Sequence, residues 1–371
     1  MRPRDVPGYL RDLVLRLLPH AAPTGLIAIG DPGPDAPVLL TGNYALTVRR
    51  LREALRGHDA WLLCANSRGI NVWCAAGGGH LTHHDIISVL RTSGVADRVA
   101  HRDLVLPQLA ATGVERRAIT EVTGWTTRWG PARLEDLPAF LDRGRRVKKH
   151  ERSMRFPLWE RMEMAVMWLA PMLLLGAPIA GAAAGIAAAA TGALGVIAVV
   201  AGLFALTPWL PHGRGARTAV FAGWGLVSAG LGVGALAALG ALSAGAVTAV
   251  LVFTLAGTAI LMVDFAGTTP WLASTVNTLG NEARIELVEE RCTGAADCVL
   301  VCPREVLEMD GRARKVRVVR PDQCIECGAC VVQCPSDALR FRFADGRVAE
   351  PETLRTTRMN MLGRRTVRVD E

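Results

Sequence analysis

Two long stretches of this chain carry no Asp, Glu, Lys or Arg: fifty residues from Met164 to Gly213 and forty-six from Thr218 to Val263. A helix needs about 20 apolar residues to cross the roughly 30 Å hydrocarbon core of a bilayer, so each stretch accommodates two crossings. Four spans are expected, near Met164 to Ala180, Gly185 to Thr207, Ala219 to Leu239 and Ala244 to Val263. All 42 basic and 34 acidic residues fall outside these stretches. The chain is therefore a membrane block between two charge-rich soluble blocks, which excludes a disordered chain, a small disulfide scaffold and a purely soluble globule. Frequent Gly and Ala, as from Gly181 to Ala190, let helices approach closely. With no ionisable Asp, Glu, Lys or Arg inside the spans, the usual mark of an ion pathway is missing. The segment Asp264 to Asn281, rich in Thr, Gly and Asn, is expected to be interfacial or re-entrant, with a fifth crossing as the alternative.

The formal net charge is +8, and much of the excess lies just before the first span, at Arg143, Arg145, Arg146, Lys148, Lys149, Arg152, Arg155 and Arg161. A basic run in that place reads as the cytoplasmic flank that fixes topology and not as a nucleic-acid site. Arg214 and Arg217, between the second and third spans, fall on the same side in a four-span arrangement. Met1 to His20 has four Arg and no long apolar core, so no cleavable signal is visible. The expectation is a multi-pass protein of the cell inner membrane with both soluble blocks in the cytoplasm.

Seven of the nine cysteines lie between Cys292 and Cys334. The run Cys324-Ile-Glu-Cys327-Gly-Ala-Cys330-Val-Val-Gln-Cys334-Pro335 has the C-x2-C-x2-C-x3-C-P spacing of a cubane iron-sulfur site, in which the fourth Cys serves a neighbouring cluster. The neighbour is upstream, Cys292-Thr-Gly-Ala295-Ala-Asp-Cys298-Val-Leu-Val-Cys302-Pro303, in the same register but with Ala295 at the second ligand position. A structural zinc site is the alternative for the downstream run. From about Glu286 to Phe343 the chain resembles a two-cluster bacterial ferredoxin. Crossed ligation then assigns Cys324, Cys327, Cys330 and Cys302 to a complete 4Fe-4S cluster. Cys292, Cys298 and Cys334 are left to a second site, which holds a 3Fe-4S cluster, a 4Fe-4S cluster with a non-Cys ligand, or no cluster.

The block before the membrane reads as α/β. Val38 to Leu40 and Ala60 to Cys64 are buried-strand runs, Tyr44 to Leu55 has helical periodicity, and a helix is expected from about Asp85 to Arg91. Between them, Gly69 to Gly79 reads as a strand running through Asn71-Val72-Trp73-Cys74 into small residues and glycines. Neither a G-x-G-x-x-G pattern nor a Walker Lys accompanies the glycines. By spacing alone Cys74 is a buried structural thiol, as is Cys64, and His80, His83 and His84 are a solvated helix start or ligands of an alternative metal.

The run Asn71-Val72-Trp73-Cys74-Ala75-Ala76-Gly77 resembles the cap-helix motif of the mercury-methylating corrinoid membrane proteins, themselves similar to the corrinoid subunit of the acetyl-CoA pathway. The resemblance extends to Thr41-Gly-Asn43-Tyr44, to His101 through Leu109 and to Trp129-Gly130-Pro131, covering about Thr41 to Arg161. That family's partner is a separate two-cluster ferredoxin, and here a similar domain is fused behind the membrane block. The resemblance implies a cobalamin-type corrinoid with Cys74 as the lower axial ligand of cobalt, and Asn71, Val72, Trp73, Ala75, Ala76 and Gly77 shaping the cap. Gly78 stands where the family usually has Lys, and the tail from Arg340 lacks the Cys pair of the family's ferredoxin.

The expected organisation is an α/β corrinoid-binding domain over 1–150, a transmembrane helical domain over 151–281, an α+β two-cluster ferredoxin-like domain over 282–345 and a tail over 346–371. The expected function is corrinoid-dependent methyl transfer, an enzymatic activity with Cys74 as its catalytic residue and the iron-sulfur block as built-in reductase. Methyl would come from a methyltetrahydrofolate or methyl-corrinoid system, electrons from a cellular donor, and the acceptor would be mercury(II) or another metal or metalloid. A membrane-anchored iron-sulfur electron-transfer protein and a non-catalytic corrinoid carrier are the alternatives.

Overall fold

In the computed structural model the described residues are 7, 8, 11, 18–263, 265, 269–272, 283–359 and 365–368. Two units separate: a helical unit that includes Phe156–Gly267, and a second formed by Leu18–Arg155 with Thr268–Glu371.

The N-terminal half of the second unit is a three-layer α/β structure. Strands β1 (Gly25–Ile29), β2 (Val38–Gly42), β3 (Ala60–Ala65), β4 (Asp103–Leu106) and β5 (Thr126–Trp129) form one sheet in the order β1-β3-β2-β4-β5. β1 is an antiparallel edge, and the other four strands are parallel. Parallel strands covered on both faces must be apolar on both. Val38, Leu40, Leu63, Leu104 and Leu106 meet helices α2 (Val72–Gly77), α3 (His83–Thr92) and α4 (Arg116–Thr123). Leu39, Leu62, Cys64 and Val105 face α1 (Ala45–Ala54) and α5 (Leu137–Asp142). Cys64 is fully buried, as expected, and burial pushes its thiol up to about 11.

The expected strands at 38 and 60 and the helices near 44 and 85 are present, α3 beginning two residues early at His83. The strand read from residue types through Asn71 to Cys74 is instead the short helix α2, the element that the cap-helix resemblance implies. Its cause is local capping: the Asn71 side chain accepts a hydrogen bond from Cys74 N at 3.0 Å, satisfying an amide at the helix start.

The helical unit contains α6 (Leu158–Ala184), α7 (Ile186–Ala205), α8 (Arg214–Ala238) and α9 (Ala244–Val263). All four are long and apolar enough to cross a bilayer. α6 and α8 start six and five residues before the expected spans, because each takes a charged segment into its first turns. Glycines set the helix spacing. A Cβ on Gly176 would lie 2.1 Å from the Phe253 ring and one on Gly202 2.6 Å from the Trp224 ring. Trp224 Nε1 donates to Ala198 O at 3.0 Å. The expectation for Asp264 to Asn281 falls mostly outside the described residues.

The C-terminal half of the second unit has β6 (Ala283–Leu287), α10 (Asp297–Val301), the hairpin β7 (Leu307–Met309) and β8 (Val316–Val318), then α11 (Ala329–Val332), β9 (Leu339–Phe343) and β10 (Val348–Ala349). β9 pairs antiparallel with β6 and β10. α12 (Pro351–Thr356) follows.

Candidate corrinoid and iron-sulfur sites

The chain leaves β2 for β3 on one side and returns to β4 on the other, so the strand order reverses at β2. Ligands of open α/β sheets bind beyond the carboxyl ends of the strands at such a point. Asn43, the 66–77 segment, Pro107-Gln108 and Gly130 all follow strand ends there. Asn43 Oδ1 accepts from Ser67 N at 2.8 Å, Ser67 Oγ at 3.1 Å and Gly69 N at 3.1 Å, while Asn43 Nδ2 donates to Ala22 O. The loop that delivers α2 is thus pinned to the end of β2. Gly69 takes a left-handed φ of +70° where a Cβ would lie 2.7 Å from Ala21 N.

On α2, Val72, Trp73, Ala75 and Ala76 are buried, whereas Asn71, Cys74 and Gly77 are partly exposed. Cys74, Gly77 and Gly78 are spaced i, i+3, i+4 and share one face. The sulfur therefore emerges beside two glycines, where the backbone is open to close approach, with the His80 ring standing 3.3 Å from where a Cβ on Gly78 would lie. The buried face rests on the 3-10 turn Gln108–Thr112, and a Cβ on Gly113 would lie 2.1 Å from Ala76 O. Gln108 Oε1, Thr112 Oγ1 and Trp129 Nε1 are buried with no hydrogen-bond partner among the described residues. Gln108 and Thr112 lie under the buried face of α2, whereas the partly exposed sulfur of Cys74 and the glycines beside it fit the approach of a flat corrinoid.

The histidines are less solvated than expected. His83 is partly buried with its Nδ1 at 3.7 Å from Glu115 Oε1, and burial, helped by His84, lowers its pKa to about 4. His84 is exposed. No group of three His, Cys, Asp or Glu arranged for a single metal ion occurs among the described residues.

The seven C-terminal cysteines divide between two cavities. Cys302, Cys324, Cys327 and Cys330 line one, and Cys292, Cys298 and Cys334 line the other. In each cavity the last Cys of one run stands with the leading cysteines of the other. Backbone amides already point at sulfur: Val306 N to Cys302 Sγ at 3.3 Å and Ala338 N to Cys334 Sγ at 3.2 Å, at matching places in the two runs. Gly294 and Glu326, Ala296 and Gly328, and Glu305 and Asp337 are matching pairs that all have left-handed φ. The run with Ala295 therefore keeps the backbone of its intact counterpart. Burial raises the thiol of Cys298 to about 12 and also lifts those of Cys302, Cys324 and Cys330. Iron must displace those protons on binding. Four thiols around one cavity fit a 4Fe-4S cluster, and three fit a cluster with one non-Cys position.

The two halves of this unit are held together by groups that carry no motif. Gln333 Nε2 donates to Ala111 O at 2.8 Å and Val114 O at 2.7 Å. Gln108 Nε2 donates to Leu300 O at 3.0 Å and Arg152 O at 2.9 Å. Met154 N donates to Pro303 O, Arg116 pairs with Asp297 at 2.8 Å and Lys149 with Glu308 at 3.2 Å. Leu300, Val301, Cys327 and Ala329 pack into the same apolar cluster as Val72, Ala75 and Ala76 of α2. Sequence reasoning missed these contacts, since an isolated Gln has no spacing signature.

Fold and sites together define a multidomain protein with an α/β corrinoid-binding-like domain, a helical region of four apolar helices and a dicluster ferredoxin domain. Residues 17–141 match the family model described as CO dehydrogenase/acetyl-CoA synthase delta subunit, and residues 291–338 match that of the 4Fe-4S dicluster domain. Among curated proteins, the acetyl-CoA decarbonylase/synthase complex subunit gamma of Archaeoglobus fulgidus is 36% identical over 121 residues, 32% of this chain and 25% of that protein. The Methanopyrus kandleri subunit gamma is 33% identical over 127 residues, 34% of this chain and 27% of that protein. Subunit gamma 2 of Methanosarcina mazei is 39% identical over 97 residues, 25% of this chain and 21% of that protein. The chain thus spans about a quarter of the length of these relatives.

Proposed function

We propose that this chain is a membrane-bound corrinoid-dependent methyltransferase whose C-terminal iron-sulfur domain is its own reductase. The observation that carries the reading is a shared core: α2, which presents Cys74, and Cys327 of the four-cysteine cavity pack into one apolar cluster. A corrinoid, when bound, supplies a cobalt centre that carries a methyl group, gives it up and must be returned to a strongly reduced state between turnovers.

The protein's own residues account for the rest. Asn71, Val72, Trp73, Ala75, Ala76 and Gly77 shape the cap, and Asn71 and Asn43 fix where α2 begins. Cys74 would offer the bound metal a soft, strongly donating sulfur. Cys302, Cys324, Cys327 and Cys330 would hold a 4Fe-4S cluster, and Cys292, Cys298 and Cys334 a second cluster of 3Fe-4S or 4Fe-4S type. The contacts through Gln108 and Gln333 keep those cavities against the cap region, so electrons travel within one packed body.

Likeness to subunits of a multi-subunit complex supports protein partners, including a methyl donor system based on methyltetrahydrofolate or a methyl-corrinoid, and a cellular electron donor. The acceptor we assign is a soft one, mercury(II) or another metal or metalloid, because the soft sulfur of Cys74 would favour handing methyl to a soft electrophile. We place the four helices in the cell inner membrane. The basic flank, and the reducing surroundings that the clusters need, support cytoplasmic positions for both soluble halves.

The test is single-turnover transfer. The full chain, purified without oxygen and loaded with methylated corrinoid, should pass methyl to mercury(II)-thiolate or arsenite in a Cys74-dependent manner. Retention of methyl with every acceptor marks a carrier. Iron-sulfur signals with no cobalt mark an anchored electron-transfer protein.

A further inference from the structure

The two cysteine runs are equivalent in register, but the residues after their Cys-Pro pairs differ. Arg304 follows Cys302-Pro303 and Ser336 follows Cys334-Pro335. Because ligation is crossed, Arg304 lines the four-cysteine cavity and Ser336 the three-cysteine cavity. Arg304 is held from outside the ligand loops. Its guanidinium carbon sits 3.9 Å from the centroid of the Trp271 ring, and Nη2 donates to Gln323 Oε1 at 2.5 Å. Its Nε is buried and has no hydrogen-bond partner among the described residues. An orphaned guanidinium N–H in a cavity walled by four thiols lacks an acceptor that a bound cluster would provide.

Two carboxylates lie near this site. Glu305 is engaged by Arg320 at 3.3 Å, and Glu326 is buried but does not line the cavity. In the other cavity the lining charge is Asp297, where its counterpart beside the four-cysteine site is Ala329, and Arg116 offsets Asp297 at 2.8 Å. The linings thus differ in sign, positive at the complete site and negative at the incomplete one.

We propose that Arg304 donates its Nε–H to sulfur of the cluster at the complete site and raises that cluster's reduction potential. This rests on the reading that the four-cysteine cavity holds a cluster. One-electron reduction adds negative charge to the cluster, and a fixed cation with an N–H aimed at sulfur stabilises the reduced form more than the oxidised form. Trp271 and Gln323 act as positioning residues for the guanidinium.

The experiment is a dithionite titration of the anaerobically purified full chain, followed by EPR of the reduced cluster. In Arg304→Gln the midpoint should fall by about tenfold in the reduced-to-oxidised ratio, about 59 mV for one electron. Arg304→Lys, which keeps charge but lacks Nε–H and the planar stack, should fall by less. Wild-type protein grown on 15N-arginine should show an arginine nitrogen coupling to the reduced cluster by pulsed EPR, which needs no variant to fold. A cluster with an unmoved midpoint in Arg304→Gln, or with no arginine coupling, overturns the role of Arg304. No cluster signal in the wild-type chain overturns the cluster assignment itself.

Discussion

Gln333 offers the sharpest structural test of the idea that the corrinoid-binding-like and ferredoxin halves work as one body. Gln333→Leu keeps side-chain volume while removing the donors to Ala111 O and Val114 O and the long contact of 3.4 Å from Arg116 N. Two buried carbonyls lose their partners, each at a cost of about 1–3 kcal/mol, so the interface should loosen by about 3 kcal/mol after partial relaxation. At about 1.4 kcal/mol per decade that is roughly a hundredfold rise in local opening. Hydrogen exchange of the holo chain in detergent reads it directly. Amides of residues 110–116 and 331–338 should exchange about a hundredfold faster by the same free-energy scale, while those of β2 and β3 hold. Unchanged exchange in both segments, or a change confined to the ferredoxin side, would refute a fixed interface.

Other substitutions probe the parts separately. Gly113→Ala forces a methyl against the backbone of Ala76, and should cost about 1–3 kcal/mol by overpacking while lowering cobalt content, read by thermal denaturation and metal analysis. Ala295→Cys restores the missing thiol on a backbone already shaped like its counterpart, and iron per chain should rise with a second 4Fe-4S signal. His83 has a folded pKa of about 4 against an ordinary 6.5. The unfolded chain therefore binds the proton first, and stability should be full above about pH 6.5 and fall towards pH 4 by up to about 3 kcal/mol. His83→Gln should flatten that part of the stability profile, and an unchanged acid slope would show that His83 does not titrate with unfolding.

Legibility in the sequence followed the physics of each element. β2, α1 and β3 carry apolar runs or helical periodicity, and their boundaries fall within a residue or two of expectation. β5, Thr-Thr-Arg-Trp, carries no apolar run for periodicity to mark, whereas β1 and β4 are apolar runs as short as β2 and no less readable. Residue types alone point to a strand at α2 because Val72, Trp73 and Cys74 favour extended backbone; the cap-helix resemblance points to the helix, and the caps that set it come from Asn71 and, through the loop, from distant Asn43. The cysteine runs were readable because ligand spacing is a local constraint. Arg304, Gln108 and Gln333 were not, since their roles come from residues brought close only by folding.

The proposed methyl transfer depends on Cys74 meeting cobalt. Cobalt X-ray absorption of the full chain produced with a cobalamin precursor tests this most directly. Sulfur should appear in the cobalt shell of the wild-type protein and vanish in Cys74→Ala, with the α/β domain still folded. A chain that binds no corrinoid, or whose cobalt environment is the same with and without the Cys74 thiol, would contradict the account.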